Sequence, residues 1–207
     1  AREAGIVAVD TETTSLDAMQ AELVGLSLSV KAGKACYIPL AHKVAGSQVA
    51  LDLGDGGDVK EEEAPQQMPR QKALDILTPL LDDPSVLKVG QNIKYDALIL
   101  SRYGVAVTPV DDTMLLSFVL DGGLHGHGMD VLADTHLGLS TVKYKDVVGT
   151  GKKQITFDYV PLEAARDYAA EDADITLRLY QTLKPRLVQE RMVTTYETIE
   201  RPLVPII

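Results

Sequence analysis

A single cysteine in 207 residues means that no disulfide can form within this chain, and Cys36, in the apolar stretch Ala35-Cys-Tyr-Ile38, reads as a buried structural thiol. No run of about 18 apolar residues is present, so no helical membrane span is expected. The opening Ala1-Arg-Glu-Ala lacks the apolar stretch of a secretion signal. A cytoplasmic protein with no membrane partner is the default expectation. Basic residues are also scarce, with 20 Lys and Arg against 30 Asp and Glu and a formal charge of −10. That balance argues against broad binding to duplex nucleic acid, whose phosphates are met by Lys and Arg. It leaves room for a site that takes one or two nucleotides through bound cations, because the cations bring local positive charge. The histidines at 42, 125, 127 and 136 form no ligand spacing that stands out, and Gly122-Gly-Leu-His-Gly-His-Gly128 reads as a flexible turn.

With 45% hydrophobic and 24% charged residues, the chain can bury one sizeable core and forms one domain. Strands are expected at about 5–10, 22–30 and 35–39, the last two joined by the turn Lys31-Ala-Gly-Lys34, which suggests an antiparallel meander. Residues 44–69, with glycines, Glu61-Glu-Glu63 and prolines at 65 and 69, read as a flexible solvated insertion. An apolar stripe at Ala73, Leu74, Ile76, Leu77, Leu80 and Leu81 predicts a helix over 70–82. A strand at 86–89 and a helix at 92–102 follow, with Val105-Ala-Val107 a candidate fifth strand. Asp111 or Asp112 is placed to cap a helix at 113–120, and further helices are expected at 129–137, 161–183 and 184–200. The fold class is therefore α/β: three antiparallel strands, then alternating helices and strands, in a mixed sheet flanked by helices.

Three separated motifs carry the chemistry. Asp10 and Glu12 are two apart at the end of the apolar run Gly5-Ile-Val-Ala-Val9, so on a strand they share a face. Asn92 and Asp96, and Tyr168 and Asp172, are four apart, so on helices each pair shares a face. Four carboxylates brought to one point repel one another unless cations lie between them, which points to a divalent-metal site for phosphodiester hydrolysis. Hard oxygen ligands suit Mg²⁺ or Mn²⁺. Two such ions about 3.5–4 Å apart hold an attacking water and a leaving oxygen in line across one phosphorus.

Taken together and in this order, Val9-Asp-Thr-Glu-Thr-Thr-Ser-Leu16, Lys88-Val-Gly-Gln-Asn-Ile-Lys-Tyr-Asp96, Asp112-Thr-Met114, Gln154-Ile-Thr-Phe157 and Tyr168-Ala-Ala-Glu-Asp-Ala-Asp174 resemble the 3′→5′ proofreading exonuclease domain of bacterial family A DNA polymerases. The resemblance covers nearly the whole chain and implies a ribonuclease H-like fold with four carboxylates and a tyrosine in the third motif. It implies that Asp10, Glu12 and Asp172 hold a first metal, and that Asp10 bridges to a second associated with Asp96. Tyr168 would orient the attacking water; an ordinary tyrosine pKa near 10 suits positioning better than general-base work. By the same resemblance Leu16 is a wedge between the last two bases, Phe157 a stacking platform, and Thr13, Gln91, Asn92 and Tyr95 contacts to the terminal nucleotide. Lys143, Lys145, Lys152 and Lys153 either hold strand phosphates or form a solvated loop.

The implied activity is release of nucleoside 5′-monophosphates from the 3′ end of single-stranded or frayed DNA. Residues 1–200 would form the exonuclease domain, and 201–207, ending in an apolar run with no polar close, would begin the connection to a polymerase domain of the same parent chain. Two alternatives stand beside this reading: an RNA-trimming exonuclease of the ribonuclease D type, and a non-catalytic scaffold or strand-binding domain. The latter is expected to have lost carboxylates, and all four are present.

Overall fold

The computed structural model describes residues 1–44 and 65–206, so most of the expected 44–69 insertion lies outside the described residues. Five strands form one sheet in the order β3-β2-β1-β4-β5. They are β1 (Ile6–Thr13), β2 (Leu23–Lys31), β3 (Lys34–Pro39), β4 (Leu87–Gly90) and β5 (Val110–Asp112). The first three are antiparallel neighbours; β4 and β5 run parallel to β1. This is the expected mixed sheet, and β1 is its central strand, covered on both faces.

Alternation along β1 divides its side chains between two layers. Val7 and Val9 join Leu23 and Leu26 under α1 (Arg70–Leu81) and α2 (Ile93–Ser101), where Leu74, Leu77, Leu81, Ile99 and Leu100 close one core. Asp10 and Glu12 take the opposite parity and face α6 (Leu162–Leu183), the long helix that packs across β1, β2 and β3. Between these helices lie α3 (Thr113–Asp121), α4 (Met129–Leu132), which runs into a π-helical turn at Ala133–Leu137, and α5 (Tyr144–Val148). Small alanines on the buried stripe of α6, at 165, 169 and 173, let this helix sit close to the sheet. No described helix is long and apolar enough to cross a membrane.

Three local expectations are corrected and one is resolved. Val105–Val107 is not a strand: the amides of Val105 and Thr108 are taken by the carbonyls of Leu100 and Leu81, so they are unavailable to a ladder, and the fifth strand is Val110–Asp112. Of the two candidate caps, Asp112 accepts from the Met114 and Leu115 amides, whereas Asp111 is a buried ion-pair partner of Lys184 and Arg201. The helix expected over 184–200 is broken, with Arg186–Gln189 ending before Arg191, whose φ is 60°. Cys36 is exposed, because β3 is an edge strand and this residue faces outward.

Candidate active site

Asp10, Glu12, Asp96 and Asp172 come together at the C-terminal end of β1 and, with Tyr168, line one cleft of about 380 Å³. Oxygens of Asp10, Glu12 and Asp172 lie within 4.8 Å of one another. Asp96 enters from α2 on the other side of the strand, where its Oδ1 accepts from the Thr11 amide (2.9 Å) and the Thr11 hydroxyl (2.5 Å). Glu12 is 5%, Asp96 3% and Asp172 8% exposed. Among the described residues no lysine, arginine or histidine forms an ion pair with any of the four, and Glu12 Oε1 is buried without a hydrogen-bond partner.

The electrostatic consequence is severe. Burial, then the charges of Asp96, Glu12 and Asp172, push Asp10 well above the ordinary carboxylate range. Glu12 is raised in the same way, by burial and then by Asp172 and Asp96. Burial lifts Asp96 to about 7 despite its two bonds from Thr11, and lifts Asp172 to about 7 despite the adjacent Tyr168 hydroxyl. Among the described residues no cationic side chain offsets this repulsion, and a bound cation would relieve it.

Sequence position and fold agree for the carboxylates, but not for every neighbour. Asn92 does not stand on a helix face beside Asp96. It is the left-handed N-cap of α2 (φ 62°), held there because its amide and that of Ile93 both donate to Asp112, at 3.0 Å each. It still lines the cleft, as do Thr13, Leu16, Gln91 and Tyr95. Thr13 Oγ1 and Tyr95 Oη meet at 2.5 Å, and Gln91 Nε2 donates to the His127 carbonyl at 2.7 Å. Leu16 is 92% exposed at the rim.

Phe157 is fully enclosed, so the expected stacking platform has no face to offer a base. Its place at the cleft wall is taken by Tyr144, which lies parallel to Phe157 (6.3 Å between centroids, 9° between planes) and edge-on to Tyr168 at 6.1 Å. Tyr144 was not singled out in the sequence; its signal is an aromatic at the start of a five-residue helix, which carries too little periodicity to read. Tyr37 was also missed. A Cβ on Gly25 would fall 2.0 Å from Tyr37 Oη, so glycine opposite Glu12 in the β1–β2 register is what lets this ring lie across the strand. Its hydroxyl meets His42 Nε2 at 2.7 Å. Burial, then the charges of Glu12 and Asp10, raise its pKa.

The acidic neighbours of the third motif have structural partners: Glu171 accepts from the Val142 amide at 2.7 Å, and Asp174 from the Gly33 amide at 2.6 Å and Arg178 at 2.8 Å. The four lysines at 143, 145, 152 and 153 are exposed. The histidines do not all stand apart, however. Asp121, His125 and His136 bring ligand atoms within 4.8 Å of one another, a cluster that linear spacing did not reveal.

Comparison with known proteins agrees with this geometry. The family described as 3′-5′ exonuclease matches residues 1–188. The chain is 50% identical over 218 residues to DNA polymerase I of Rhizobium leguminosarum, covering 100% of this chain and 20% of that protein. It is 45% identical over 212 residues to DNA polymerase I of Pseudomonas aeruginosa, covering 99% of this chain and 21% of that one. The chain therefore spans about a fifth of the length of these relatives. Brucella melitensis NrnC has the same fold, with a TM-score of 0.69 at 23% identity over 98% of this chain and 82% of that one. The fold is that of ribonuclease H-like exonucleases, and the chain belongs to the 3′-5′ exonuclease family.

Proposed function

We propose that this chain is the proofreading part of a DNA polymerase I, removing nucleoside 5′-monophosphates from the 3′ end of single-stranded or frayed DNA with two divalent cations, in the cytoplasm. The observation that carries the cation requirement is the buried, all-oxygen cluster with no cationic partner among the described residues and an orphaned Glu12 Oε1. These donors fit Mg²⁺ or Mn²⁺, which take hard oxygen ligands. In this reading Asp10, Glu12 and Asp172 hold one ion, and Asp10 with Asp96 holds the other. Bound there, the ions would supply charge neutralisation and Lewis-acid activation at the scissile phosphate.

The chain's own residues do the rest. Tyr168 keeps its proton, because burial and then the Asp172 charge push its pKa far up, so its hydroxyl can orient a water but not act as a base. Leu16 stands exposed at the rim, where it would wedge between bases, while Thr13, Gln91, Asn92 and Tyr95 line the cleft that would receive the terminal nucleotide. Tyr144, not Phe157, offers the aromatic face, with Phe157 backing it; stacking accepts any base, as proofreading requires. A mismatched end costs less to unpair and so reaches a single-strand site more often. The identity to DNA polymerase I supports a polymerase domain in the same parent protein as the partner that delivers the strand.

The test is release of mononucleotide from a 3′-labelled oligodeoxynucleotide with Mg²⁺, lost on adding chelator. The same oligonucleotide with 2′-hydroxyls throughout should be a poorer substrate. Equal or faster loss of the RNA would replace DNA proofreading with RNA trimming, and no release from either would leave a strand-binding scaffold.

A further inference from the structure

Away from the cleft, Asp121 at the end of α3 is faced by two imidazoles. His125 Nε2 lies 3.8 Å and His136 Nε2 3.6 Å from the same oxygen, Asp121 Oδ2. Neither distance is short enough for a good hydrogen bond. On His125, Nδ1 lies 2.8 Å from the Gly126 carbonyl, which can only accept, so that nitrogen carries the proton and Nε2 of the neutral ring presents a lone pair. His136 Nε2 is buried and has no hydrogen-bond partner. A carboxylate oxygen, the His125 lone pair and the unpartnered His136 nitrogen thus converge, and with its proton on Nδ1 His136 completes a set of three donors.

The spacing suits one class of cation. With bonds of about 2.0–2.1 Å, a tetrahedral zinc site has donor–donor edges of about 3.3–3.4 Å, so the two observed edges need to shorten by only a few tenths of an ångström. Arg186 holds Asp121 from the other side, Nη1 to Oδ2 at 2.9 Å and Nη2 to Oδ1 at 2.7 Å, which orients the carboxylate and leaves an Oδ2 lone pair free. His136 is presented by the π-helical turn Ala133–Leu137, a local departure from the α-helix of a kind often found at functional sites. Asp121, His125 and His136 side chains keep 10%, 18% and 11% exposure, enough for a water in a fourth position.

We propose that Asp121, His125 and His136 form a second metal site, for a zinc-class cation, chemically distinct from the all-oxygen cleft. The imidazole donors select a borderline ion over Mg²⁺. Its structural effect would be to pin the Gly122–Gly128 turn. That turn also carries His127, whose ring meets Ser117 Oγ at 2.8 Å and whose carbonyl holds Gln91, so the site would steady one wall of the cleft.

The test is calorimetric titration of the 207-residue chain carrying Asp10→Ala and Asp172→Ala, which removes two cleft ligands, with Zn²⁺ alone. One ion per chain is expected, unaffected by excess Mg²⁺. His125→Gln and His136→Gln should each weaken binding by more than the roughly 10–100-fold that loss of an outer-shell partner costs. His125 sits on the turn, so its variant should fold, as circular dichroism will verify, and it decides the matter if His136→Gln does not fold. No zinc binding by the parent, or equal affinity in folded His125→Gln, overturns the site.

Discussion

Two strands of the same sheet each carry an aspartate toward the C-terminal end, and their surroundings could hardly differ more. Asp111 on β5, 1% exposed, is met by Lys184 Nζ at 2.9 Å, Arg201 Nε at 3.1 Å and Tyr196 Oη at 3.1 Å, with Glu197 paired to the same lysine and arginine. Asp10 on β1 is surrounded instead by Glu12, Asp96 and Asp172. Withdrawing a carboxylate from water is unfavourable in both places. At β5 the chain offsets the cost itself and so clamps its C-terminal helices to the sheet edge. At β1 no described residue offsets it, which is why the cluster there is a candidate receptor for cations. A strand aspartate is a structural joint in one place and part of a candidate catalytic site in the other.

The sharpest way to break this comparison is to remove charge from each side. Asp10→Ala, Glu12→Ala and Asp172→Ala should each lower nucleotide release by more than about a thousandfold, the equivalent of roughly 4 kcal/mol of transition-state stabilisation. Their metal-free melting temperatures should equal or exceed that of the parent, because each removes one member of a repelling cluster. Metal-induced stabilisation should largely vanish. Asp111→Ala should do the reverse. Stranding Lys184 and Arg201 should cost about 2–4 kcal/mol in denaturant unfolding, less than a fully buried pair because both cations retain some exposure and Glu197, while turnover per folded molecule stays unchanged. A stabilised Asp111→Ala, or a destabilised Asp10→Ala, would collapse the distinction.

Tyr168→Phe sharpens it within the cleft. Loss of one orienting hydroxyl should lower turnover roughly ten- to a thousandfold with metal-induced stabilisation intact, whereas Asp172→Asn should lose both. A tyrosine variant that also loses metal would have to be counted among the ligands.

The smallest expected effect is on pH. Asp96 and Asp172 have folded-state pKa values raised to about 7, so without metal their penalty is absent below the unfolded carboxylate pKa near 4, grows between about pH 4 and pH 7 and is fully present above. With chelator present, the melting temperature should fall between about pH 4 and pH 7 and level off above, and Mg²⁺ should add most at the upper end. The Asp96→Asn, Asp172→Asn double variant should flatten the slope; an unchanged slope would place the titrating groups elsewhere.

Sequence periodicity located the cleft because its ligands sit on regular elements. Asp10 and Glu12 share a face through the strand repeat, and Tyr168 and Asp172 through the helical one. Where the backbone leaves those repeats, the reading failed. Asn92 has a positive φ set by a carboxylate 20 residues away, and Tyr144 stands on one short helical segment. Phe157 and Cys36 failed differently: both are apolar positions of correct local type, one enclosed behind Tyr144 and the other on the outer side of an edge strand.

What the sequence alone determined is therefore the type of most main elements, the four carboxylates and the class of chemistry they suit, since these follow from local spacing and from charge that must be compensated. Only the tertiary structure decided which strand aspartate would find cationic partners among the described residues. Lys184 and Arg201 reach Asp111 from 73 and 90 positions downstream, while no cation reaches Asp10 among the described residues. Pairing over such distances depends on where helices dock, and docking is a property of the packed core that no local repeat encodes.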